Sequence, residues 1–244
     1  MNKIPRNLDN EFADNQGRKY AYGFDDLMKV FMMRTFKKYA PKGRALELGA
    51  YKGEFTEILV NEFEDVTVIE GSPKLAKFVD KRLGGRPRVI CSFFEDVDID
   101  EQFDAIFFLH TLEHLNDPIA VLKRVRQWLS SSGLLFLVCP NANAPSRQIA
   151  VRMGLISHNS AVTQAEQEHG HRCTYTLDAL EKVARDAGLK IVDRGGIVFK
   201  PLANFQIDKA LELGVIEREF LEGCYDLGQV YPDLCASIYL VCEK

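Results

Sequence analysis

Residues 44–59 read RALELGAYKGEFTEIL, and residues 66–73 read VTVIEGSP. In the first stretch an apolar run, Ala45 to Leu48, enters a turn spaced by glycines and then a helical pattern that opens at Phe55. In the second, Val66 to Glu70 is another short apolar run that ends in an acid and a Ser-Pro helix start. A strand, a turn, a helix and a second strand make the unit of a parallel sheet, and ligands of such sheets sit beyond the carboxyl ends of the strands. The turn has the spacing E-x-G-x-x-x-G, with Glu47, Gly49 and Gly53. Glycines at that place let a ligand come close to the backbone. The turn is not a phosphate loop of the usual kinds: it lacks the Lys-Ser/Thr ending, and Tyr51 stands where G-x-G-x-x-G would need glycine.

Working outward, further strand-like runs cover Arg88 to Cys91, Phe103 to Leu109 and Leu134 to Val138, separated by helix patterns at Pro73 to Leu83, Pro118 to Leu129 and Ser146 to Met153. Later come a helix from Leu177 to Ala187 capped by Thr176, a strand from Lys190 to Asp193 that stops before Gly195 and Gly196, helices at Phe205–Gly214 and Glu217–Leu227, and a last strand from Ala236 to Val241. The expectation is an α/β fold: a doubly wound, mostly parallel seven-stranded sheet whose last strand is antiparallel. Residues 1–40 read as a leader and a helical lid, the helix running from Phe24 to Tyr39 before Pro41. Residues 41–244 read as one domain, with a polar lid loop at 157–172 and a C-terminal cover at 200–235. A long polar loop within a compact domain is usually functional.

Composition excludes several classes. The chain has 244 residues with 31 Lys+Arg against 35 Asp+Glu, a net charge of -4, so no basic surplus marks a nucleic-acid partner. Its 46% hydrophobic content is that of a globular protein, and no apolar run approaches the roughly 20 residues of a membrane span. The start, MNKIPRNLDNEFADNQ, has no apolar core and reads as a leader, not a signal peptide. Six cysteines without C-x-x-C spacing suit reduced thiols and a cytoplasmic location.

Glu70 lies about 20 residues beyond the glycine turn, where a carboxylate accepts the hydroxyls of a ribose. Together with SFFED at 92–96 and FDAIFFLHTLEHLNDP at 103–118, these features resemble the class I S-adenosylmethionine-dependent methyltransferases, in the subgroup with an LEH sequence after the fourth strand. The resemblance extends more loosely through GHRCTYTLDALEKVARDAGLK at 170–190. It implies a Rossmann-like fold, S-adenosylmethionine as methyl donor and S-adenosylhomocysteine as product. It implies that Glu47, Gly49, Ala50 and Gly53 lie against the methionine part of the donor, and that Glu70 takes the ribose hydroxyls with Gly71 and Ser72 beside the adenosine. Phe94 and Glu95 would border the adenine, and His110 with Thr111 the methionyl end. The chain departs from the pattern at Ala50 and Tyr51, where the family most often has Cys-Gly, so Tyr51 is expected to reshape the loop.

All five histidines fall after the fourth strand or in the polar loop. Transfer to a hydroxyl needs the acceptor's proton removed, a task that suits histidine. His169 and His171 are the first candidates for a catalytic base and His114 the next, against a structural role for each. Asn141, Asn143 and Arg147 could shape an acceptor pocket or simply cap the helix that follows. His110 and His114 stand one helical turn apart with Glu113 between, yet no third ligand or H-E-x-x-H pattern accompanies them, so no metal is expected. The expected partner is a small-molecule acceptor, methylated at oxygen, with no nucleic acid or membrane and with the chain a monomer or homodimer. The rival readings are a nucleotide-dependent oxidoreductase and a non-catalytic cofactor-binding protein.

Overall fold

A computed structural model describes residues 8–9, 23–39 and 41–244. The expected leader therefore lies outside the described residues except at Leu8 and Asp9. Seven strands form one sheet in the order β3-β2-β1-β4-β5-β7-β6. They are β1 (Arg44–Leu48), β2 (Asp65–Glu70), β3 (Arg88–Cys91), β4 (Phe103–Leu109), β5 (Leu129–Pro140), β6 (Lys190–Phe199) and β7 (Cys235–Glu243). β1, β2, β3, β4 and β5 pair in parallel, while β7 is antiparallel to both β5 and β6. The strand order reverses between β1 and β4, which puts the crevice of a doubly wound sheet over the end of β1.

The strands are apolar throughout because both faces are covered. Phe107 of β4 pairs in register with Phe136 of β5 and stacks on it at 4.8 Å, on the face that also holds Phe36 and Phe55. The next pair, Phe108 and Leu137, points to the opposite face, among Trp128, Leu122 and Leu180. The first face is covered by α1 (Gly23–Phe36) and α2 (Glu54–Glu62). The second is covered by α4 (Pro118–Trp128) and α7 (Leu177–Asp186), with α3 (Pro73–Arg82) between β2 and β3. Ser72 caps α3, Asp117 caps α4 and Thr176 caps α7, each accepting a backbone N–H of the first turn.

Two strands run longer than their sequence suggests. β5 begins at Leu129, where SSSG interrupts the apolar pattern; a side chain at Gly133 would come within 2.6 Å of the Phe103 carbonyl, so the glycine lets the chains pass. β6 continues through the glycine pair instead of turning there. A Cβ at Gly195 would lie 2.7 Å from the Tyr239 ring, and one at Gly196 would be 2.2 Å from the Pro232 carbonyl. These glycines serve close approach within a strand.

The first helix is part of the core. Phe24, Met28, Phe31, Met32 and Phe36 bury its apolar stripe against the sheet. The helix is also held by the C-terminal helices α8 (Asn204–Glu212) and α9 (Arg218–Val230). Asp208 accepts the N–H groups of Gly23 and Phe24 and so caps α1, Phe31 stacks on Tyr225 at 5.0 Å, and Arg34 pairs with Glu222. No described helix is long and apolar enough to cross a membrane.

Candidate active site

A cavity of about 1190 Å³ opens beyond the carboxyl ends of β1, β2 and β4, and α1, the polar loop and the start of the C-terminal cover close it in. It has two halves of different construction.

The first half is built around the glycine turn. Gly49 sits at φ +82, and a Cβ there would lie 2.7 Å from the Thr111 hydroxyl, so only glycine lets the two loops meet. Glu70, at the end of β2, is buried in the floor. One of its oxygens accepts the amides of Ala50 and Tyr51, both at 3.1 Å, and the other accepts the Ser72 amide at 2.9 Å. Burial pushes its pKa up and these amides pull against that rise. Glu70 thus holds the turn in shape, a role the sequence did not reveal. Tyr51 has φ +51, the left-handed backbone for which its position would ordinarily take glycine. The departure at Tyr51 is therefore a strained residue beside the cavity, its ring facing Lys52 at 5.2 Å.

Glu47 is buried near the same floor, where it accepts the Thr56 hydroxyl at 2.5 Å, and burial raises its pKa to about 8. Phe94 and Glu95 line the cavity beside Phe93, with Phe94 packed edge-on against Phe108 at 5.5 Å. Leu8 reaches the same rim, and Asp9 accepts the Ser72 hydroxyl and the Lys74 amide. Glu47, Gly49, Ala50, Glu70, Gly71, Phe94, Glu95, His110 and Thr111 all line the cavity. Gly53 and Ser72 do not: Gly53, at φ +81, opens α2, and Ser72 caps α3.

The second half is assembled from distant segments. His110 follows β4 at φ +47 and shares a 2.8 Å hydrogen bond with Ser237. Its ring is exposed to the cavity, and the protein packed around it holds its pKa below the ordinary imidazole value. His114 ends the short 3-10 turn Leu112–His114, and its ring meets that of His171 edge to face at 4.6 Å. Burial lowers the His171 pKa to about 4, with Glu166 pulling the other way. His169 also lines the cavity, whereas His158 does not. Three of the sequence's candidates, His114, His169 and His171, thus share one wall.

The polar loop is structured. It contains α6 (Gln164–Glu168), opened by a capping box between Thr163 and Glu166. Arg147, from α5 (Pro145–Arg152), pairs with Glu166 at 2.6 Å and donates to the carbonyls of Asn159 and Ala161. At the loop's end the Arg172 amide donates to the Glu113 carbonyl at 2.9 Å, and Arg172 Nε donates to the His114 carbonyl at 3.1 Å. Arg147 is a bracket behind the polar loop, and Asn141 holds the carbonyls of Asp233 and Cys235. Neither lines the cavity.

Sequence reading missed Lys200, which enters from the start of the cover beside Asn204. Its ammonium donates to Asn204 Oδ1 at 2.7 Å, and burial lowers its pKa to about 8. It also missed Lys29 of α1, 3.6 Å from Glu54. A lysine on a helix stripe of otherwise apolar spacing was the available signal.

A family model described as a methyltransferase domain matches residues 20–194. The chain belongs to the class I, S-adenosylmethionine-dependent methyltransferases. Membership sets aside the oxidoreductase reading. This methyltransferase is 31% identical over 104 residues to the ubiquinone biosynthesis O-methyltransferase of Dinoroseobacter shibae, covering 42% of this chain and 40% of that protein. It is 27% identical over 165 residues to the protein of the same name from Cereibacter sphaeroides, covering 66% and 65%. The chain therefore spans less than two thirds of the length of either relative. Among solved structures, the N-methyltransferase NodS of Bradyrhizobium japonicum, crystallised with S-adenosylhomocysteine, superposes with a TM-score of 0.58 at 15% identity, covering 96% of this chain and 95% of that one. An S-adenosylmethionine-dependent methyltransferase of Mesorhizobium loti gives 0.60 at 14%, covering 91% and 100%. At such identities these two establish the shared fold.

Proposed function

We propose that the cavity takes S-adenosylmethionine in its glycine-turn half and a small hydroxylated molecule in its histidine half, and that the protein methylates the acceptor at oxygen. One observation carries this reading: a single cavity joins Gly49, Glu70 and Phe94 at one end to His110, His114, His169 and His171 at the other. Its volume exceeds the roughly 300–1,000 Å³ of an ordinary ligand site, which suits two molecules side by side. The relatives named as O-methyltransferases support oxygen as the acceptor atom.

The residues of the first half fit the donor. Gly49 leaves space that a side chain would fill, Phe93 and Phe94 offer apolar surface to a flat base, and Glu70 offers a carboxylate to the ribose. Three amides occupy three of its about four acceptor directions, so the ribose hydroxyls would share this carboxylate with the turn. When bound, S-adenosylmethionine supplies a methyl group activated by its sulfonium. His110 and Thr111 frame the place where the two halves meet, and the loop at 157–172 shuts water out. The acceptor oxygen forms the new C–O bond as the donor's C–S bond breaks, and its proton goes to one of His169, His171 or His114. His169, His171 and His114 are thus the proposed catalytic side chains.

Incubation with methyl-labelled donor and a panel of small phenols, catechols and aliphatic alcohols tests the reading. The expected product carries the label on oxygen. Label found solely on nitrogen in a matched panel of amines would contradict the oxygen assignment, and absence of S-adenosylhomocysteine binding would contradict the whole reading.

A further inference from the structure

We propose that Glu113, His114 and His171 form a binding site for one divalent transition-metal cation at the acceptor end of the cavity. The inference deepens the methyl-transfer reading, on which the acceptor oxygen lies in this same half. Sequence spacing offered His110 and His114 with Glu113 between them but no clear third ligand, and the structure leaves His110 out of the cluster. The fold supplies the third ligand from the far end of the polar loop.

One potential ligand atom from each of the three residues lies within 4.8 Å of the others. The Glu113 side chain is the telling member. It is 1% exposed, and among the described residues neither carboxylate oxygen has a partner in good hydrogen-bond geometry. Its own backbone N–H and, after it, the weakly polar thiol of Cys139 oppose the effect of burial. A buried carboxylate is ordinarily hydrogen-bonded, paired with a cation or bound to a metal. Among the described residues Glu113 has no cationic partner and no well-formed hydrogen bond, and one of its oxygens lies within 4.8 Å of a ring nitrogen of each of two imidazoles.

The arrangement is also held from behind. Arg172 ties the loop's end to the backbone carbonyls of Glu113 and His114, and these bonds seat His171 against His114. Metal bonds of about 2.0–2.2 Å would need ligand atoms roughly 3.3 Å apart, a closing movement of the size of a side-chain rotation. One carboxylate and two imidazoles suit cations such as Zn²⁺ or Co²⁺ and leave coordination positions open. An acceptor hydroxyl entering one of them would lose its proton more readily. Two of the three candidate histidines then act as ligands, and His169 stays beside them in the cavity wall.

The test uses the full chain, stripped with a chelator and titrated with Co²⁺ while visible absorption is followed. The expected result is saturable binding of one equivalent. Glu113→Gln and His171→Ala should each weaken it at least ~10-fold, while S-adenosylhomocysteine affinity measured by calorimetry stays within about twofold. Circular dichroism verifies folding, and His114→Ala replaces either variant that fails to fold. The proposal is overturned by absence of saturable binding, by variants that bind as the wild type does, or by intense thiolate charge-transfer bands that vanish with Cys139→Ser. Normal S-adenosylhomocysteine binding without metal binding would sink the metal site alone. Normal metal binding without S-adenosylhomocysteine binding would sink the methyl-transfer reading alone.

Discussion

The two halves of the cavity are made by opposite means. The glycine-turn half is built largely by backbone: Gly49 and Tyr51 in left-handed conformations, amides gathered on Glu70, all within the ends of two adjacent strands. The histidine half is built by side chains from the end of β4, the polar loop and the chain beyond β6, tied together by Arg147 and Arg172. Backbone sites tolerate little change and bind a constant molecule, whereas side-chain sites can be rebuilt around different acceptors. Substitutions in the first half should therefore act on donor affinity, and those in the second on lid order and turnover.

The largest effect is expected from Gly49→Val. A branched side chain at φ +82, directed at the Thr111 hydroxyl, should weaken S-adenosylhomocysteine binding at least ~100-fold, about 2.7 kcal/mol, with circular dichroism retained. Ordinary affinity in calorimetry would remove the turn from the site. Glu70→Ala should come next, weakening binding by about 1.5–3 kcal/mol. Because the Ala50, Tyr51 and Ser72 amides lose their acceptor together, the same variant should melt several degrees lower, roughly 4 °C or more. Weaker binding with an unchanged melting temperature would mean that Glu70 serves the ligand and not the turn.

Arg147→Ala probes the other half. Loss of the bracket should speed hydrogen exchange across 157–172 roughly tenfold, about 1.4 kcal/mol of local opening, and leave donor affinity nearly unchanged. A matching loss of donor affinity would show that the halves are not independent. The smallest effect belongs to Tyr51→Gly, which should relieve up to about 1 kcal/mol of left-handed strain and raise the melting temperature slightly. A fall in stability would instead assign the Tyr51 ring a supporting role.

The same division explains what could be read from the sequence. The mostly parallel sheet with its antiparallel last strand, the helices and the Thr176 cap were legible because apolar runs and a capping hydroxyl act locally. The glycine turn was legible because Glu47, Gly49 and Glu70 sit at strand ends whose spacing follows from the fold. The continuation of β6 through Gly195 and Gly196 was not, since its cause is the Tyr239 ring on the neighbouring strand. Nor was the meeting of His171 with His114 and Glu113. That contact depends on how the polar loop folds back, and its capping box and arginine bracket carry no periodic signature. Lys200 was hidden for the same reason: its chemistry comes from burial beside Asn204 and not from any motif.

The central claim is that donor and acceptor meet where these halves join. A crystal structure of the full chain with S-adenosylhomocysteine tests it most directly. The account predicts the ribose at Glu70, the base against Phe94, and the sulfur at the Thr111 and His110 end, facing the wall of His114, His169 and His171. A sulfur atom turned away from that wall, or a ligand bound outside the cavity, would contradict it.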